Sequence, residues 1–187
     1  DGVKFSNQLF LPKNMQPGER RPALVFVHGG PRRQILPGYH YMHVYHMFYG
    51  YNQWLANQGY VVLSVNYRSG IGYGRPFQQA DSTGRRGNAE YRDVLAAGKY
   101  LQSRPDVDPT RVGIWGLSYG GILTAQALAR NSDIFVAGAD WAGVHLWGTA
   151  EDASSLAFRS SSISEIGKWK SPVFLVHGED DRNVAFS

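Results

Sequence analysis

The segment Val112-Gly113-Ile114-Trp115-Gly116-Leu117-Ser118-Tyr119-Gly120-Gly121 constrains this chain more than any other. An apolar run enters Gly-x-Ser-x-Gly, and an Ala- and Leu-rich stretch with helical character, Tyr119–Arg130, leaves it. A strand that gives way to a helix over so few residues needs a tight, strained turn, with Ser118 at its apex and Oγ pointing out of the sheet. Glycines at 116 and 120 leave room for strand and helix to approach each other. The helix then directs its free N–H groups and positive dipole end at the space in front of Ser118. Such a turn suits a serine nucleophile, with the Tyr119 N–H as one donor to a developing oxyanion. The plainer reading is a Gly-rich turn with no chemistry, and the strand–turn–helix context favours the nucleophile.

The rest of the pattern says what that turn is set in. Ala23–Val27, Tyr60–Val65, Arg111–Trp115, Ile134–Ala139 and Pro172–Val176 are short apolar runs with little alternation, as expected of strands buried on both faces. Lys4–Leu11 alternates loosely and ends at Pro12, which suits an early edge strand. Tyr45–Gln58, Asn88–Gln102 and Tyr119–Arg130 carry helical periodicity between the strands. Alternating strands and helices predict an α/β fold: a mostly parallel sheet with right-handed crossovers and helices on both faces. Ala150–Gly167 reads as a loop with one short helix. At 187 residues the chain suits a single domain spanning 1–187.

Two more motifs lie at strand ends. Val27-His28-Gly29-Gly30-Pro31 frees backbone N–H groups after a buried strand, so the turn around His28 and Gly29 is the candidate second oxyanion donor. Val176-His177-Gly178-Glu179-Asp180-Asp181-Arg182-Asn183-Val184 ends a late strand in an acidic turn. An acid there can hold an imidazole in its working tautomer. Asp140, at the end of another strand, competes for that role. Tyr39-His40-Tyr41-Met42-His43-Val44-Tyr45-His46 puts three histidines at i, i+3 and i+6, but no carboxylate accompanies them at ligand spacing. It is read as an aromatic packing or interface segment, and no metal or organic cofactor is expected.

Composition narrows the partners. The charge of +4 comes from scattered basic residues, with no basic stripe, which argues against a nucleic-acid surface. No cysteine is present, so disulfides and a Cys nucleophile are excluded. No apolar run approaches the ~20 residues needed to span a bilayer. Cytoplasmic and secreted locations both stay open.

Together with Asn66-Tyr67-Arg68-Ser69-Gly70-Ile71-Gly72-Tyr73-Gly74, these motifs resemble the catalytic domain of the prolyl oligopeptidase family of serine peptidases, and within it the dipeptidyl-peptidase and acylaminoacyl-peptidase types. The Asn66–Gly74 stretch separates this family from lipases and plain esterases, which share Gly-x-Ser-x-Gly. The resemblance implies an α/β-hydrolase fold, Ser118 as nucleophile, and Asp181 as triad acid by the pattern His-Gly-x-x-Asp counted from His177. His28 lies where some relatives carry a Tyr whose hydroxyl assists the oxyanion. It further implies short peptides or acylated peptides as substrates, and a preceding β-propeller or a homo-oligomer in a longer parent.

The chain departs from the family pattern in one respect: none of its six histidines follows the acid. Both ends read as cut, so the last strand and helix, and the triad histidine with them, are expected outside it. Loss of a triad histidine costs on the order of 10⁶ in turnover, so these 187 residues alone are expected to be nearly inactive. Substrate side chains are expected near the Tyr67–Tyr73 and Asp140–Trp147 loops. The alternatives are an esterase or general acyl hydrolase on the same fold, and a non-catalytic hydrolase-like binding domain.

Overall fold

The computed structural model describes residues 2–186; the expectation that Asp1 follows a further domain falls outside them. Among these residues six strands form one sheet, in the order β1-β3-β2-β4-β5-β6. β1 (Gln8–Phe10) runs antiparallel to β3 (Val61–Val65) at one edge. β2 (Arg21–Val27), β4 (Val107–Leu117), β5 (Phe135–Trp141) and β6 (Val173–Val176) continue the sheet in parallel. The expected edge strand and five inner runs are thus in place, and the chain adopts the α/β-hydrolase fold.

Period-2 alternation sorts the strand residues between two apolar layers. Ala23, Val25 and Val27 of β2 with Val112 and Ile114 of β4 meet α3 (Glu90–Ser103) and α4 (Tyr119–Arg130) on one face. Phe26 and Trp115 point the other way, toward Tyr45, Phe48 and Leu55 of α1 (His43–Asn57). The Phe26, Phe48, Trp115 and Trp141 rings stack edge-on or tilted at 4.4–5.8 Å between centroids. In the Tyr39–His46 segment Tyr39 lies against His46 and His40 against Tyr41, with Tyr45 buried and Tyr39 and Tyr41 exposed.

The outer strands differ from expectation. β3 is buried along its whole length, but Val136 of β5 and Phe174, Leu175 and Val176 of β6 are exposed. β6 is the edge strand and packs chiefly on β5, so its apolar run has no covering helix among the described residues. The Ser-rich segment holds a four-residue helix, α5 (Leu156–Arg159), capped by the Ser155 hydroxyl, which accepts from the Phe158 N–H at 3.1 Å. α2 (Arg75–Gln78) and a 3₁₀ turn at Gly84–Arg86 carry no apolar periodicity and were not legible. All parallel strands end on one side, where β2, β4, β5 and β6 deliver His28, Ser118, Asp140 and the Asp181 turn.

Candidate active site

Ser118 is the N-cap of α4, at φ 58° and ψ −117°. A serine in this region carries about 1–3 kcal/mol of backbone strain. The surroundings enforce it. A Cβ on Gly120 would overlap the Val27 carbonyl oxygen, and one on Gly116 would lie 2.6 Å from the Gly120 carbonyl oxygen. The Ser118 N–H donates to the Trp141 carbonyl at 2.7 Å, fixing the turn to β5. The Tyr119 N–H is at the first helical position, where no carbonyl lies one turn back.

The His28-Gly29 turn lies against this apex. The space a Gly29 Cβ would fill is walled by the Leu117 carbonyl oxygen at 2.8 Å, the Tyr45 hydroxyl at 2.8 Å and Ser118 Cβ at 3.2 Å. The Gly29 N–H, expected to face the site, donates to the Tyr45 hydroxyl at 2.9 Å. Tyr45 is therefore the residue that sequence reading missed; it is buried, and burial raises its pKa. The His28 ring is fully buried, stacked on Tyr67 at 4.4 Å, and its Nδ1 donates to the Gly29 carbonyl at 2.6 Å. Burial lowers its pKa to about 4, so it is neutral at pH 7 and is a structural ring.

The Asn66–Gly74 loop braces the site through its buried residues. Tyr67, Arg68 and Ser69 are buried. The Tyr67 hydroxyl donates to the His28 carbonyl at 2.7 Å. Arg68 donates to both Asp93 carboxylate oxygens at 2.6 and 2.9 Å. The Glu90 carboxylate accepts from the Ser69 hydroxyl at 2.9 Å, the Gly84 N–H at 3.1 Å and the Tyr119 hydroxyl at 2.6 Å. One loop thus ties the His28 turn and the α3 N-terminus to the residue after Ser118. Each carboxylate also lies in the first turn of α3, where the helix dipole favours it.

The two candidate acids sit differently. Asp181 lies in the turn after β6, and its Oδ1 accepts from the Asn183 and Val184 N–H groups at 2.8 and 2.9 Å. These donors, Val184 first, lower its pKa. Asp180 is exposed beside it. The His177 Nε2 donates to the Val184 carbonyl at 2.9 Å and stands 3.7 Å from Asp181 Oδ2. Asp140 pairs in register with Gly116, inside the sheet's rim. Its carboxyl lies over the first turn of α4, where a Cβ on Gly121 would overlap Oδ1. Burial raises its pKa to about 7; the Gly143 N–H pulls the other way without reaching hydrogen-bond geometry. His145 Nε2 is 3.5 Å from Asp140 Oδ2. Asp140, His145, His177 and Asn183 line a cavity of about 620 Å³. Ser118, His28, Gly29 and Tyr119 are thus gathered at the ends of β2 and β4, and Asp181 stands two strands away. Among the described residues no imidazole hydrogen-bonds to Ser118.

Known proteins resemble this chain in sequence and fold. Dipeptidyl peptidase 8 of Homo sapiens is 32% identical over 206 residues, covering 100% of this chain and 22% of its own length. The solved acylaminoacyl peptidase of Pyrococcus horikoshii superposes with a TM-score of 0.75 at 30% identity, over 96% of this chain and 30% of its own. Dipeptidyl peptidase 4 of Porphyromonas gingivalis gives 0.78 at 28% identity, over 95% and 26%. The chain therefore spans about a quarter of the length of these relatives. The family model described as the prolyl oligopeptidase family matches residues 46–165, which take in most of α1, the Asn66–Gly74 brace and the Ser118 turn. With that match laid over a strained serine at the mouth of a parallel sheet, the chain belongs to the prolyl oligopeptidase family of peptidases.

Proposed function

We propose that this chain is the nucleophile-bearing part of a serine peptidase that hydrolyses short peptides through an acyl-enzyme. The observation that carries the proposal is Ser118: a half-buried serine at positive φ on the N-terminus of α4, held there by glycines that admit no side chain. Its Oγ attacks the scissile carbonyl and passes its proton to a histidine that follows Asp181, outside these residues. Asp181 orients that imidazole and stabilises its charged form. The Tyr119 N–H is one oxyanion donor. The Gly29 N–H reaches the site through the Tyr45 hydroxyl, which accepts it and has a proton of its own to give. The protonated histidine returns its proton to the leaving amine, and water then releases the acyl group. Short peptides fit the names of the relatives, and a propeller or a second copy completing the parent is part of the same proposal.

The chemistry of an ester hydrolase would be the same. Relative turnover of an aminoacyl-anilide and a simple aryl ester by the complete protein carrying these residues separates the two. Anilide hydrolysis is expected; turnover of the ester alone would refute the peptidase reading.

A further inference from the structure

A second cavity, of about 500 Å³, shares no lining residue with the Asp140 pocket. Pro31, from the His28 turn, and Tyr119 line it, so it begins at the oxyanion side of the Ser118 apex. Its rim carries Arg32, Arg85 and Arg86. All three side chains are exposed. Among the described residues Arg32 and Arg85 have no hydrogen-bond or ion-pair partner, and Arg86 has only the Thr83 hydroxyl at 3.4 Å. Two carboxylates face them. Asp81 is exposed on the rim. Glu90 forms the floor, fully buried, with its oxygens already taken by Ser69, Gly84 and Tyr119. The accessible wall is therefore three guanidinium groups against one free carboxylate.

Guanidinium groups pair with carboxylates through parallel N–H donors, a geometry that neither an amide nor a hydroxyl offers. Gln78, Gln79 and Thr83 complete a polar wall around them, so the cavity offers little to an apolar side chain. Building on the serine-peptidase reading of Ser118, we propose that this cavity is a substrate subsite for a carboxylate, held by Arg85 and Arg32 with Arg86 beside them. The cavity is lined by Tyr119, whose hydroxyl donates to Glu90 on its floor, and not by Ser118 itself, so the carboxylate is assigned to a substrate position beyond the residue at the scissile bond. Two sources share that chemistry: the free C-terminus of a short peptide, and an acidic side chain.

The test is binding, which needs no turnover. The complete protein carrying these residues, as Ser118→Ala, is titrated calorimetrically with peptides of one length and sequence. One has a free C-terminus, one a C-terminal amide, and two are amides with Glu or Gln at the same position. The free acid or the Glu amide is expected to bind roughly 5-fold more tightly than its neutral counterpart, and the advantage shrinks at high salt. Whichever carboxylate gains the advantage identifies the source. The advantage is lost in Arg32→Gln/Arg85→Gln protein and reduced in Arg85→Lys protein, which keeps the charge without the paired donors, each checked for unchanged thermal unfolding. Equal binding of acids and amides, or a preference that survives the double substitution, overturns the proposal. Failure of the unsubstituted protein to react with a fluorophosphonate at Ser118 would count against the hydrolase reading and leave the binding result standing.

Discussion

Asp140 offers a measurable consequence of how tightly the Ser118 turn is packed. Its carboxyl is buried against the first turn of α4, and neither oxygen has a hydrogen-bond partner among the described residues. Burial shifts its pKa from 3.8 to about 7. Below pH 4 the group is protonated in both folded and unfolded chains and costs nothing. Between pH 4 and 7 the unfolded chain releases a proton that the folded chain keeps, so stability falls as pH rises. Above pH 7 the folded chain must carry a buried charge, at a cost of about 4 kcal/mol from the pKa difference. The α4 N-terminus offsets roughly 1 kcal/mol of this. His145, itself pushed toward neutrality by burial, adds little at that pH. Asp140→Asn removes the charge at nearly constant volume. Urea unfolding at pH 4.5, 6 and 8 is the assay. The substitution is expected to stabilise by about 1 kcal/mol at pH 4.5 and by about 3 kcal/mol at pH 8. A loss of stability at pH 8, or a gain independent of pH, would mean that Asp140 is ionised and satisfied, and the burial reasoning would fail.

Ser118→Gly relieves the strained φ but loosens the unfolded chain, and a net gain of about 1 kcal/mol in thermal unfolding is expected, with loss of all acylation. Gly120→Ala forces a methyl into the Val27 and His28 carbonyl oxygens, so at least ~3 kcal/mol of stability should be lost; a variant that unfolds like the parent would contradict the packing of the turn. Tyr45→Phe in the complete protein leaves the Gly29 N–H without its acceptor and removes a phenolic donor. A fall of about 10²-fold in kcat with KM little changed is expected from steady-state kinetics; a change in KM alone would assign Tyr45 to packing.

Local chemistry made the main features legible in the sequence. The Ser118 turn needs glycines at fixed offsets, and the buried strands need unbroken apolar runs, so both are visible without knowledge of neighbours. What stayed hidden depends on pairing across the chain. Tyr67, Arg68 and Ser69 look like solvent-facing loop residues until His28, Asp93 and Glu90 are placed beside them, 21 to 39 residues away. Tyr45 sits in an aromatic run whose side chains are interchangeable by composition, and only the fold selects the one that meets Gly29. The Phe174–Val176 run reads as a buried strand because periodicity reports apolarity, and which neighbour covers it is not local information. Asp181 is distinguished from Asp180 in the sequence only by the family pattern counted from His177; its two backbone N–H donors fix the turn it sits in.

The assignment of Ser118 is most directly tested by treating the complete protein with a fluorophosphonate probe and locating the adduct by peptide mass spectrometry. A single modification on Ser118, absent in Ser118→Ala protein and after heat denaturation, is the predicted result. Folded protein that stays unlabelled, or carries its label on another serine, would contradict the role given to the turn between β4 and α4.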